Sequence, residues 1–506
     1  MLAVLLLAHS QVKADQYGDF TYSTDGTNAF IVGYTGNGGA VVIPDNINGW
    51  PVVSIGPYSF QSVTTMIEVT IGTNVSSIEE FAFSYCSSLI NVTIPNSVTN
   101  LGKGVFDDCS SLINIAIGNS VTSIGPQAFS DCASLTNVII PSSVTSIGWA
   151  AFESCYNMAN VTIPGSVTSI GAWAFLYCGL TSIIIPDGIT NMDVGVFAWC
   201  ANLTNITISD GSTTIGSGAF AGCTSLTSVL IPFSVTNIGT EEFTECTGLR
   251  SIFVDILNPA YSSVAGVLFN KNQTILIQFP GSKAGSYTVP DGVTSIEDLS
   301  FYDCANLIEV TIPNNVTNIG IGAFDECTGL TRLTIPNKLT SIASAAFANC
   351  SSLTNVMVPS SVTNIGSSAF YECTNLASIY FQGNSPYLTE ATFPSPGVDQ
   401  ISGDDNATVY YLPGTMGWDT TFGGLPTVLW LPQIQDDNDS FGMRTNQFGF
   451  TINWASGQTV VVDACTNLAN PVWQPLQSNT LTSASFYFSD PQWTNYPGRF
   501  YRLRSP

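Results

Sequence analysis

Along most of the chain, apolar and polar positions repeat on a beat of 23 residues. Residues 121–143 read VTSIGPQAFSDCASLTNVIIPSS, and 144–166 begin the same pattern again with VTSIGWAAFESCYNMANVTIPGS. Within each copy, Leu-x-x-Val-x-Ile follows a cysteine, as in Leu89, Val92 and Ile94 or Leu226, Val229 and Ile231. That alternation predicts a short strand with one buried face, stopped by proline or glycine. A second apolar pair follows, Val98 and Leu101 or Val144 and Ile147, and then Gly-x-x-Ala-Phe-x-x-Cys, whose length predicts one helical or 3₁₀ turn.

The cysteines keep the register. Cys86, Cys109, Cys132, Cys155, Cys178, Cys200, Cys223 and Cys246 step by 23 residues and once by 22; Cys304, Cys327, Cys350 and Cys373 resume the step, and a phenylalanine stands three residues before each. The phase extends outward to Phe60 and Phe393, giving 14 coils. A fixed period of this size predicts a solenoid, because one coil cannot bury its apolar face without neighbours. Equivalent Val, Leu, Ile, Phe and Cys residues then form columns along the axis, spaced by about the 4.7 to 4.9 Å of paired strands.

IPNSVTNLGKGVFDDCSSLINI at 94–115 and PSSVTNIGSSAFYECTNLASI at 359–379 resemble the BspA-type leucine-rich repeats of bacterial surface and secreted proteins, over residues 52–393. The resemblance implies a curved right-handed solenoid and, in some relatives, adhesion or protein binding. The expected fold is therefore a β-rich leucine-rich-repeat solenoid of about 14 coils of 23 residues, with short helical or 3₁₀ turns, β caps and a small C-terminal all-β domain.

The flanks divide the chain further. Residues 1–14 are an apolar run ending in Val12-Lys13-Ala14, which predicts a signal peptide cut after Ala14 and hence a secreted, extracellular or cell-surface product. No later run is long enough for a membrane span. Residues 15–50, with Phe20, Tyr22, Phe30, Val32 and Tyr34 between Gly and Asn turns, predict an N-terminal β cap on the solenoid of 51–395. The step between Cys246 and Cys304 is 58 residues, and the added text, with β-rich runs at 267–270 and 274–279, predicts a hairpin extruded from one coil at about 255–290. Residues 396–435 read as a C-terminal cap and linker. Residues 436–506 read as a small β module with candidate strands GFTINW, TVVVDAC, SASFYFSD and GRFYRLRSP.

Charge narrows the partners. Charged residues are 9% of the 506, the formal net charge is -25 and the pI is near 4.1. Nucleic acid requires a basic stripe and is excluded. Arg499, Arg502 and Arg504 make the terminal module the one relatively basic spot, a candidate anchoring or docking element.

Candidate chemistry is sparse. The single histidine, His9, lies in the predicted signal, so no Ser-His-Asp, Cys-His or His-ligated metal site is available to the mature chain. The carboxylate pairs Glu79-Glu80, Glu241-Glu242 and Asp107-Asp108 occupy different phases of the repeat, on what the pattern reads as its exposed turn, so no catalytic residue is assigned. No cofactor is expected; weak calcium binding stays open, since DNDSFG at 437–442 starts like a calcium loop but lacks oxygen ligands at Phe441 and Phe448. The twelve register cysteines read as buried thiols, because stacked Cβ vectors run parallel and suit neither disulfides nor a metal. Acidic residues just before the cysteine, among them Asp108, Asp131, Glu245, Asp303, Glu326 and Glu372, form two runs along the turn side. In the middle coils that side carries Trp149, Tyr156, Trp173, Tyr177 and Trp199, the candidate partner-binding residues. The expected function is a non-enzymatic binding or adhesion protein presenting an extended surface to a protein or glycan. The alternative is a structural cell-envelope or matrix layer protein anchored through its C-terminal module. Ligand identity and oligomeric state are not readable from the residues.

Overall fold

The computed structural model describes residues 14–389, 407–435, 441–444, 447–496 and 498–506. The signal-peptide cleavage region up to residue 13, Phe393 and the Asp436–Asp439 linker lie outside them. The architecture is a β-solenoid of about 16 turns of roughly 23 residues with almost no helix; cap strands that continue the repeat's strand ladders add to the 14 coils counted from phenylalanine. Two compact units divide the chain. The first comprises the chain up to Gly285 with Gly292–Leu307 and Gly320–Thr328; the second comprises Ser286–Asp291, Ile308–Ile319 and the chain from Gly329 onward.

In the first unit each coil contributes to three backbone ladders. Strands Met66–Thr70, Asn91–Thr93, Asn114–Ala116, Asn137–Ile139 and Asn160–Thr162 pair in parallel, residue on equivalent residue, with Val69, Val92, Ile115, Val138 and Val161 facing inward. Two-residue strands Ser77–Ile78, Asn100–Leu101, Ser123–Ile124, Ser146–Ile147 and Ser169–Ile170 form the second ladder. The third runs through the Gly-x-x-Ala-Phe-x-x-Cys segment, where a helical or 3₁₀ turn was expected. Instead the N–H groups of Phe81, Phe83 and Tyr85 donate to the carbonyls of Lys103, Val105 and Asp107 in the next coil, at 2.7 to 2.9 Å.

Two left-handed residues per coil make this possible. Phe81 and Tyr85, Gln127 and Asp131, Ala150 and Ser154 all have φ between 51° and 60°. A helical turn would close its hydrogen bonds on itself, whereas this turn aims alternate peptide N–H groups along the solenoid axis. Among the described residues the only 3₁₀ helix is Trp493–Asn495. Close approach favours glycine in most coils, since a Cβ at Gly125 would meet the carbonyl oxygens of Leu101 and Gly102 at 2.5 Å, although Glu79, Asp193, Glu297 and Ala343 hold the same position elsewhere.

The interior follows the expected columns. Phe60, Phe83, Phe106, Phe129, Phe152, Phe175, Phe197 and Phe220 are fully buried and stack with centroids 4.9 to 5.9 Å apart and planes within 15°. Burying each ring contributes about 1.5 to 3 kcal/mol. Beside them, the Cys109 thiol donates to the Phe83 carbonyl at 3.2 Å and Cys155 to Phe129 at 3.3 Å, a contact repeated from Cys86 to Cys246. All thirteen cysteines are buried thiols outside any disulfide, and in most of these contacts the S–H adds a second, weak donor to a carbonyl that already accepts a backbone N–H, as Phe129 does from Cys132 at 3.4 Å.

The caps continue the ladders. Ala29–Tyr34 pairs in parallel with Trp50–Ile55 and antiparallel with Phe20–Thr24, and Gly39–Val42 pairs with Met66–Thr70. The 255–290 segment is no free projection. Tyr261–Val264 and Val267–Asn270 form a hairpin, Ile275–Gln278 joins it, and Ile275–Gln278 also pairs with Ser295–Ile296 as a coil would. Val267, Leu268, Phe269 and Leu276 are buried, and Phe279 stacks on Phe301 at 4.8 Å.

In the second unit, Asn355–Val358, Ser378–Phe381, Thr408–Tyr411 and Leu425–Leu429 make one parallel ladder. The terminal module is two small sheets. Gln447–Asn453 pairs with Gln433–Gln435, Gly442–Arg444 and Ser485–Asp490, while Thr459–Cys465 pairs with Gln474–Thr480 and Phe500–Arg504. Phe450, Ile452, Trp454, Val460, Val462 and Phe488 form its core together with Leu412 of the preceding cap, and the Trp454 indole N–H donates to the Trp430 carbonyl at 3.1 Å. Strand Gln433–Gln435, ahead of the expected linker, thus already belongs to the module's sheet.

Candidate functional site

The aromatic residues expected to bind a partner occupy different places in the turn. Trp173 is two residues before Phe175, at one left-handed position (φ 57°); Tyr177 and Trp199 stand just before Cys178 and Cys200, at the other (φ 57° each). Most neighbouring coils fill these positions with Gly, Ala, Gln, Ser or Asp, although Phe81 and Tyr85 hold them in an earlier coil, so the frame does not need an aromatic side chain there. Trp173 is 46% exposed, Tyr177 41% and Trp199 38%.

Glycines in the following coil give each indole a seat. A Cβ at Gly195 would come within 2.5 Å of the Trp173 ring, and one at Gly222 within 2.6 Å of Trp199. Both rings therefore lie across the next coil, one side packed and the other open to solvent. Tyr177 and Trp199 are 6.0 Å apart between centroids, and Tyr156 lies 6.5 Å from Tyr177. Trp173, Tyr177 and Trp199 together line a shallow depression of about 300 Å³ floored by Gly195, Ala198 and Ala221. Trp149 does not join them. Three residues before Phe152, it faces Lys103, whose Nζ lies 5.6 Å from the Trp149 ring and 5.4 Å from that of Phe81.

The terminal arginines are used internally. Arg499, with its side chain only 8% exposed, forms an ion pair with Asp490 at 3.1 Å and lies 4.3 Å from the Tyr496 ring. Arg502 and Arg504 both reach Asp463 Oδ2, at 2.9 and 3.0 Å, and Arg502 also covers Trp473. The three arginines thus share two carboxylates, Asp490 and Asp463, the latter opposite Arg502 on the paired strand, while Arg502 and Arg504 stay partly exposed.

The acidic turn positions are not uniformly exposed either. Asp107 is half-buried, and burial, with Asp131 and Asp108 adding like charge, pushes its carboxyl up to about 6. Glu153 is raised by burial and then Asp131. Glu245 is raised by burial, then Asp303 and Glu326, and the Tyr302 hydroxyl donates to Glu326 at 3.2 Å. Among the described residues no three His, Cys, Asp or Glu side chains converge to hold a metal ion. Of the pair Glu241-Glu242, expected on an exposed turn, only Glu241 is exposed. Glu242 falls in the column just before the phenylalanine, elsewhere Ala128, Ala151 and Ala174, and is buried. Comparing that column residue by residue would have found it.

Comparison with known proteins accords with this geometry. The BspA-type leucine-rich repeat region, in six copies, matches residues 53–180, 147–272 and 277–397. The chain belongs to the BspA-type leucine-rich repeat family. Its BspA-type fold is similar to the crystal structure of a leucine rich cell surface protein from Faecalibacterium prausnitzii A2-165, at 29% identity over 73% of this chain and 88% of that one, with a TM-score of 0.51. A leucine-rich repeat protein from Bacteroides ovatus ATCC 8483 is 27% identical over 72% of this chain and 94% of its own, with a TM-score of 0.49. The pneumococcal vaccine antigen PcpA is 18% identical over 83% of this chain and 98% of its own, with a TM-score of 0.45. No curated protein sequence matches the chain. Among the described residues no helix is long and apolar enough to cross a membrane.

Proposed function

We propose that the chain is an exported, non-enzymatic binding protein that presents the turn side of its solenoid to a protein or glycan at an extracellular or cell surface. The observation that carries this reading is the strip of Trp173, Tyr177 and Trp199, three large half-exposed rings on two adjacent coils, with both indoles seated on glycines. Rigid rings lose little entropy on contact and offer both an apolar face and a polar edge, which suits sugar rings and protein side chains alike. The cell-surface description of the Faecalibacterium protein and the sequence of residues 1–14 support export. The alternative of a layer protein anchored by Arg499, Arg502 and Arg504 draws less support, since all three are ion-paired inside their module.

The test is a glycan array and an envelope-extract pull-down, run with the chain from Asp15 and with a Trp173→Ala/Tyr177→Ala/Trp199→Ala variant. The expected result is retention by the parent and its loss in the variant, with unchanged circular dichroism. A variant that keeps every partner of the parent would dismiss the reading.

A further inference from the structure

The column just before the stacked phenylalanines is apolar through seven coils, at Ala82, Val105, Ala128, Ala151, Ala174, Val196 and Ala219. It then turns polar three times in succession, at Glu242, Gln278 and Ser300, before returning to Ala323. Gln278 donates to the carbonyls of Phe279 and Ser300, and the Ser300 hydroxyl donates to Glu297 and Leu276. Glu242 has no such account. It is 3% exposed, yet its Oε1 has no hydrogen-bond partner among the described residues. A buried carboxylate oxygen left unpaired costs about 1 to 3 kcal/mol or more, so its presence where alanine fits calls for a ligand.

Glu242 lies at the floor of a cavity of about 460 Å³ between the coil of Phe243 and the inserted strands. One wall is apolar, made by Ile238, Ile275 and Ile277 with the ring of Tyr261, whose hydroxyl is fixed by the N–H of Ile238 at 2.9 Å. Around Glu242 stand three further carboxylates, the exposed Glu241, Glu297 and Asp298, and none of the lining residues is basic. One oxygen of Asp298 accepts the Ile321 N–H at 2.7 Å.

We propose that this cavity binds an alkylammonium group, a primary amine carried on an apolar stem. The carboxylates select a cation, and the isoleucine wall selects against a hydrated metal ion, for which no converging ligand set exists among the described residues. An ammonium supplies three donors, one of which answers Glu242 Oε1, while the rim carboxylates add negative charge and its methylenes cover the isoleucines. The turn side already holds one ammonium against aromatic rings, that of Lys103 on Phe81 and Trp149. Burial first and then Glu241 push the Glu242 carboxyl up to about 8, so it is largely protonated at neutral pH when alone, and pairing with an ammonium releases that proton. The cavity adjoins the aromatic depression, sharing Ser217 and Glu241 with it, but does not depend on what the aromatic strip binds.

The ammonium has two sources, a free diamine or a lysine side chain of a protein partner. Isothermal titration of the full chain with 1,5-diaminopentane, with Nα-acetyl-lysine amide and with 1,5-pentanediol separates them. The expected result is binding of one or both amines and not of the diol, with proton release measured across buffers of different ionisation enthalpy. Glu242→Gln removes the charge and is expected to weaken binding by about tenfold or more. Glu242→Ala restores the residue of the neighbouring coils, so its fold is expected to hold by circular dichroism while binding falls equally. A stronger response to the diamine assigns a free amine, and a stronger response to the lysine amide assigns a protein partner. Amines binding no better than the diol, or binding Glu242→Gln as tightly as the parent, would overturn the proposal.

Discussion

Replacing Glu242 by alanine is expected to stabilise the chain in neutral and alkaline solution and to leave it nearly unchanged in mild acid. The unfolded chain ionises this carboxyl near its ordinary 4.5, whereas burial holds the folded one to about 8. Between those values the folded state keeps a proton that the unfolded state has lost, so unfolding becomes easier as pH rises. At about 1.4 kcal/mol per pH unit the displacement corresponds to about 4 to 5 kcal/mol once pH exceeds 8, and to about 3 kcal/mol at pH 7. Below pH 4.5 both states are protonated and the difference vanishes. Alanine removes the titration and loses only the packing of a short stem, about 1 kcal/mol. Glu297, raised in the same direction, and Asp107 titrate in both proteins and cancel in the comparison. The assay is urea unfolding followed by circular dichroism at pH 5, 6, 7, 8 and 9. Midpoints that coincide at pH 5 and diverge upward in favour of the variant agree with the account. Parallel curves would mean that Glu242 is solvated or paired, and would refute it.

Other consequences can be read at the bench. The buried cysteines, with Cys200 and Cys246 pushed up to about 12 by burial, are expected to resist Ellman's reagent at pH 8, while all thirteen react in urea; rapid native reaction of several would contradict their placement. Phe152→Ala empties a place between Phe129 and Phe175, 5.2 and 5.3 Å away, and is expected to cost about 3 to 5 kcal/mol in chemical unfolding; a loss below about 1 kcal/mol would deny the column its role. Ala265 and Gly266 join the paired Val264 and Val267 with φ of 50° and 80°, so Ala265→Gly is expected to stabilise by about 0.5 to 1 kcal/mol, and a destabilising result would argue against that turn.

The period was legible because every coil repeats the same apolar columns, so the strands and the stacked Phe and Cys follow from counting. The turn was not. A segment of the form Gly-x-x-Ala-Phe-x-x-Cys is compatible with a helical turn, and Gln127 or Ala150 alone does not announce a left-handed backbone; the signal lay in the columns, where Gly104, Gly195, Gly218, Gly222 and Gly322 recur with Asp108 and Asp131, and the neighbouring coil's carbonyls make that geometry favourable. The cap strand at Ala29–Tyr34 shows the same dependence on context, since Ile31 is buried and Val32 exposed although Phe30, Val32 and Tyr34 carry the alternation. Strand Gln474–Thr480 escaped because its side chains, Gln, Pro, Leu, Gln, Ser, Asn and Thr, show no apolar period; it is an edge strand held by backbone pairing. The aromatic strip was visible as residue types, but that Trp149 turns to Lys103 while Trp173 joins Tyr177 and Trp199 depends on register within the turn.

The measurement that bears most directly on the proposed recognition is the dissociation constant for the partner retained by the parent chain, compared between Trp173→Ala/Tyr177→Ala/Trp199→Ala and Trp149→Ala. Loss of about tenfold or more in the triple variant, with Trp149→Ala within about twofold of the parent, is the expected result, because only the first three rings share the open depression. Equal affinities for parent and triple variant, or a loss in Trp149→Ala as large as in the triple, would contradict it.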